Sequence, residues 1–164
     1  MNKRAFLAIS LVLLTAGCAT PPPYVVKNNL DHNAMKIYAA EGSTKVIGQA
    51  FLKTRGGDIK FGAGELVTIY PDVPYINEIN SLPRYRVINA QGIDPKWASY
   101  VRKTTSDGGG NFEFSSIPKG SYIIETSVTW GVPTKYGMET QGGTLRTKVT
   151  VPESGQVKVI VTDR

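Results

Sequence analysis

The sequence predicts an all-β fold, an antiparallel β-sandwich, on three observations. First, Thr104 to Trp130 reads as two strands around two tight turns. Asp107-Gly108-Gly109-Gly110-Asn111 is a turn, because glycine supplies positive φ cheaply and Asp and Asn side chains bond their own backbone. Phe112-Glu113-Phe114 then alternates at the strand period, Pro118-Lys119-Gly120 turns the chain, and Tyr122, Ile124, Thr126, Val128 and Trp130 fall at every second position. That spacing puts Tyr122 and Trp130 on one strand face, where both are expected to be mostly buried. Second, Val46, Gly48, Ala50 and Leu52 share one face of an earlier strand, and Leu66 to Tyr70 is another strand, stopped by Pro71. Third, Leu145 to Val151 and Gln156 to Thr162 alternate around Pro152-Glu153-Ser154-Gly155 and read as a terminal hairpin, with Val149, Val151, Val157, Val159 and Val161 toward the core.

The first of these stretches carries a resemblance. Asp107, Gly110, Phe112, Phe114, Ile117-Pro118, Gly120 and Tyr122 resemble the D-x-x-G-x-F-x-F-x-x-(L/I)-P-x-G-x-Y signature of carboxypeptidase regulatory-like domains. Gly48-Gln49-Ala50-Phe51 and Val67-Thr68-Ile69 stand where that family places its first strands. The resemblance spans roughly 45–162 and implies a small transthyretin-like sandwich. It implies little about activity, because function lives in sites grafted on a fold.

From the start of the chain, Met1-Asn2-Lys3-Arg4 is a basic n-region and Ala5 to Leu14 an apolar stretch too short to span a bilayer. Leu14-Thr15-Ala16-Gly17-Cys18 resembles a bacterial lipobox, departing from it at Thr15. Cleavage is expected between Gly17 and Cys18, with lipidation of Cys18, the only cysteine. Ala19 follows, and by resemblance to enterobacterial lipoproteins a residue other than aspartate there implies sorting to the outer membrane. Three chains on one cysteine would anchor firmly where one is marginal. The expected organisation is a signal peptide over 1–17, a lipidated N-terminus and tether over 18–44, and the β-sandwich domain over 45–164.

Ala19 to Lys27 is read as the tether, with Pro21-Pro22-Pro23 extended at roughly 3 Å per residue. Leu30, Ala34, Ile37 and Tyr38 recur near the helical period before Gly42, and also fit an edge strand. About 120 residues remain for one core.

Removing Lys3 and Arg4 leaves 17 basic residues against 13 acidic ones, a mild excess spread along the chain. It does not point to a nucleic-acid partner. Catalytic chemistry is not legible. His32 is the only histidine, no G-x-S-x-G elbow exists, and no His/Cys cluster suits a metal. Gly62-Ala63-Gly64 lacks the G-x-G-x-x-G spacing of a nucleotide loop. Asp107 and Asn111 lack the other ligands of a calcium loop.

No catalytic residue, metal or cofactor is therefore expected, and the role is read as binding or structural. The expected partners are the membrane, through the lipid, and an envelope protein or a glycan. A glycan-binding module is one alternative. Another is a secretion-machine component, because the outer-membrane lipoprotein of type VI secretion has a similar fold. Partner contact is expected in the insert from Asp72 to Arg102, too long for a plain turn and rich in aromatics and arginines. Tyr75, Arg84 and Trp97 are its candidate contact residues. The same aromatics also fit strands that finish the core.

The lipobox makes a direct prediction. Cys18→Ser is expected to abolish fatty-acid labelling and leave an unprocessed precursor; palmitate incorporation that persists in that variant would refute it.

Overall fold

A computed structural model describes residues 21–83, 86–89 and 92–163. Gly17, Cys18, Ala19 and Arg84 lie outside the described residues. Two sheets stack face to face, as expected. Strand β1 (Ser43–Lys53) is the centre of the first. Along one edge it pairs antiparallel with β5 (Asn111–Ile117) and, at its far end, with β2 (Ile59–Phe61). Along the other it pairs in parallel with β8 (Ser154–Val161). The second sheet is antiparallel throughout, in the order β4 (Arg102–Thr105), β3 (Leu66–Pro71), β6 (Gly120–Thr134), β7 (Gly137–Val151).

The expected facing of β1 holds: Val46 and Ala50 are fully buried and Leu52 nearly so. Gly48 has a packing reason, since a Cβ there would sit 2.3 Å from the Phe112 ring. Val67, Ile69, Phe114, Ile117, Ile124 and Val128 complete the centre of the core. The glycine-rich turn forms as expected. The Asp107 carboxylate accepts from the backbone N–H groups of Gly109 and Asn111, both at 2.8 Å, and Gly110 has φ 74°. The Tyr122 hydroxyl donates to the Pro118 carbonyl at 2.9 Å, locking the second turn. Asp107, Gly110, Phe112, Phe114, Ile117, Pro118 and Tyr122 of the signature thus each have a structural task.

The terminal hairpin is corrected. β7 and β8 belong to different sheets, so the chain crosses between them at Pro152-Glu153. The Ser43 and Thr44 hydroxyls donate to the Glu153 and Pro152 carbonyls and draw that crossing onto β1. The valines still face inward, with Val151, Val159 and Val161 buried and Val149 and Val157 half-buried. The expected helix is also shorter, with α1 covering only Lys36–Ala39. The Asp31 carboxylate accepts from the Asn33 and Ala34 N–H groups and holds a turn instead. Met35 points inward at 1% exposure while Ile37 points out.

The outer face of the second sheet carries a second core. Tyr70 and Ile123 project from the sheet, and Leu30, Met35, Tyr75, Ile76 and Tyr100 cover them. Helix α2 (Pro74–Ser81) and the 3-10 turn Trp97–Tyr100 bring these residues from the insert. Burial, and then its bond to Glu125, pushes the Tyr70 hydroxyl up to about 12, so it stays a donor. The stretch read as a tether is docked from Tyr24 on. Tyr24 bonds Val87 and Asn89 through its backbone, and its hydroxyl donates to Glu78.

Glu78 is the clasp of this arrangement. Its carboxylate accepts from the Lys27 and Asn28 N–H groups, the Tyr24 hydroxyl and the Asn28 amide, at 2.6 to 2.8 Å. The two backbone bonds lead in lowering its pKa from 4.5 to about 2. A depressed carboxylate stabilises above its unfolded value and loses that contribution as pH falls through the folded one. Detachment of 24–29, read as rising protease sensitivity, is therefore expected between pH 4.5 and about 2. Glu78→Gln should loosen the segment at neutral pH and remove that step; a step unchanged in the variant would place the clasp elsewhere.

Candidate ligand cleft

The sheets differ in reach. β6 and β7 are 15 residues each, against 11 for β1 and 8 for β8. The β6–β7 hairpin therefore runs past the end of the first sheet. Its distal part, from Thr129 to Gly142, is exposed or half-buried throughout.

Trp130 sits where the overhang begins. It shares the inward face with Ile124 and Val128 but lies at the end of the core, so it is half-buried rather than mostly buried as expected. Tyr122, at the closed end, is 3% exposed. Beside Trp130 an open cleft of about 410 Å³ is lined by Leu52, Lys53, Gly142, Gly143, Thr144 and Asp163, among others. Leu52 and Lys53 come from the end of β1, and Asp163 follows β8. Gly142 has φ +91°, and a Cβ there would meet the Val128 carbonyl oxygen at 2.0 Å and the indole at 2.9 Å. Only glycine lets β7 pass this close to Trp130. Among the described residues, the Lys53 and Asp163 side chains have no hydrogen-bond or ion-pair partner. The cleft thus offers an aromatic edge, a carboxylate, an ammonium and the Thr144 hydroxyl to a ligand.

A larger depression, about 660 Å³, lies on the outer face of the first sheet along Ile47, Gln49, Asn111, Glu113 and Lys158. Its polar groups are mostly occupied. Gln49 donates to the Gly109 carbonyl, Asn111 to Asp107, and Glu113 pairs with Lys45 at 2.8 Å. Polar groups already satisfied by the fold have less to offer a ligand, so the smaller cleft is the better site despite its size.

The residues singled out in the insert are placed differently from expectation. Tyr75 is 3% exposed, and its hydroxyl accepts from the Asp94 N–H at 2.8 Å. Trp97 is half-buried against Tyr70 and Tyr75, with ring centroids 6.0 and 5.5 Å away. Burial corrects the reading of Tyr75 as an exposed loop residue: it is a core residue of the insert. His32 is exposed, and its Nε2 lies 3.1 Å from Asp94 Oδ2. Asp107, weighed as a calcium ligand, spends its carboxylate on its own turn. Among the described residues no cluster of three His, Cys, Asp or Glu side chains could hold a metal, and no helix is long and apolar enough to cross a membrane.

A two-sheet sandwich with an aromatic-edged cleft at one open end is the class of protein defined so far. The sequence matches no family model and no curated protein. Among solved structures it is similar to the crystal structure of a candidate carbohydrate-binding protein from Pseudomonas aeruginosa. The two share 30% identity and a TM-score of 0.65, over 77% of this chain and 94% of that one. The chain belongs to the same family as that Pseudomonas protein.

The position of Trp130 makes a stability prediction. Removing a fully buried Trp costs about 3–5 kcal/mol. Trp130→Ala, half-buried, is expected to cost about 2 kcal/mol by urea unfolding, less than the ~3 kcal/mol expected for Ile124→Ala. A larger loss for Trp130→Ala than for Ile124→Ala would make Trp130 a core residue and not a cleft wall.

Proposed function

We propose that this protein is a carbohydrate-binding module of the bacterial envelope, held at the outer membrane by a lipid on Cys18. The observation that carries the reading is Trp130, an indole half-exposed at the edge of a cleft whose Lys53 and Asp163 side chains have no partner among the described residues. Aromatic rings accept the apolar C–H face of a pyranose, and a few convergent polar groups then fix its orientation. The description of the Pseudomonas relative as a candidate carbohydrate-binding protein supports the same reading. The role is binding rather than catalysis. A protein-docking role through the insert is weakened, because Tyr75 and Trp97 are spent on the second core.

In this reading the lipid keeps the sandwich at the membrane while the open end of the sheets samples glycan. A glycan array probed with the detergent-solubilised full chain is expected to give hits that Trp130→Ala loses. Circular dichroism should show the variant still folded. An array without hits, or hits that survive Trp130→Ala, would overturn the assignment.

A further inference from the structure

The cleft does not end at Trp130. Cross-strand pairing places Trp130 opposite Gln141, Val132 opposite Glu139 and Thr134 opposite Gly137, and these pairs share the inward face of the hairpin. Among the described residues, the first sheet has no strand beyond Lys53 and Val161 to cover that face. Trp130, Val132 and Thr134 are half-buried, whereas Gln141 and Glu139 are exposed. Neither the Glu139 nor the Gln141 side chain has a hydrogen-bond or ion-pair partner among the described residues. From Trp130 to Thr134 the strip runs four residues, about 13 Å at the strand rise. That is longer than one pyranose ring.

Resting on the carbohydrate-binding reading, we propose that the strip is a run of additional sugar subsites for a neutral β-1,4-linked glycan chain. Three features select that class. A two-stranded antiparallel ribbon offers an extended strip, which fits an extended chain, and equatorial β-1,4 links give such a chain. Trp130 then takes the C–H face of one ring, while the Gln141 amide and Glu139 carboxylate meet hydroxyl or N-acetyl amide groups of the following rings. The charges along the surface balance, with Lys53 and Lys135 against Asp163 and Glu139, so a polyanionic chain gains nothing from the basic excess of the whole protein. Because the overhang has only one wall, the chain can enter mid-length and need not present an end.

The test is titration calorimetry of the full chain with cello- and chito-oligosaccharides of two to six units. Affinity for at least one series is expected to rise with length, by about tenfold from the dimer to the pentamer, equivalent to ~1.4 kcal/mol. The Glu139→Ala, Gln141→Ala double variant should lose about that tenfold on the pentamer and clearly less on the dimer. Equal loss at every length, no loss at any length, or no binding to either series overturns the proposal. Trp130-dependent array hits confined to other glycans would also overturn it, yet leave the carbohydrate-binding reading standing. An array with no hits at all removes both.

Discussion

The sandwich depends on β1 being paired along both edges. Its inward residues Val46, Ala50 and Leu52 supply the floor of the core, and its backbone pairs with β5 along one edge and β8 along the other. Two close approaches make this possible. Gly48 leaves the space that the Phe112 ring fills, and Gly110 lets the β5 turn come within bonding distance of Ala50, whose N–H donates to the Gly110 carbonyl at 2.9 Å. A side chain at either position would push β5 off β1 and open the core at its centre. The parallel partner β8 is held to the same strand by side chains as well as ladder bonds, because Ser43 and Thr44 fix the crossing that delivers it.

Much of this was legible in the residues, for a local reason. The turn at Asp107-Asn111, the alternation of Phe112 and Phe114, and the Tyr122 corner depend on neighbours within a few positions, and sequence spacing records such neighbours well. The destination of β8 was not legible. Val157, Val159 and Val161 alternate identically whether their strand pairs with β7 or with β1, and Pro152-Glu153-Ser154-Gly155 fits a hairpin turn as well as a crossing. What decides is contact with Ser43 and Thr44, more than 100 residues earlier in the chain. The short helix failed for a related reason. Apolar period placed Ile37 inward with Tyr38, but the Asp31 turn rotates the segment so that Met35 packs in place of Ile37 while Tyr38 still packs.

The insert illustrates how one composition can fit two roles. Tyr, Trp and Arg in a long connection are as suitable for a private core as for a partner surface, and the sequence could not separate the two. Structure does so through the second sheet, whose outer face presents Tyr70 and Ile123. Those rings and chains would face water if nothing covered them, and the insert together with residues from Val26 onward is what covers them. Glu78 then ties the N-terminal segment down with four hydrogen bonds to one carboxylate. Arg86, one of the arginines in the insert, lies over the Tyr24 ring at 5.9 Å, part of the same closure.

The candidate site was hidden for a reason of lengths rather than of residue types. In sequence, Trp130 is the last member of a buried alternation beginning at Tyr122, and nothing local distinguishes it from Val128. Its environment is set by where another strand stops: β1 ends at Lys53, and the core ends with it. Had β1 and β8 run two residues further, Trp130 would have a ceiling and its indole would be ordinary core. Because they stop, one part of the ring packs on the core and the rest borders open space beside Asp163 and Lys53. The same packing that fixes the indole's orientation gives it value to a ligand, since a ring already immobilised loses little freedom when a ligand stacks on it. Gly142 completes the arrangement from the other side, as a backbone position with no side chain where β7 must pass the indole.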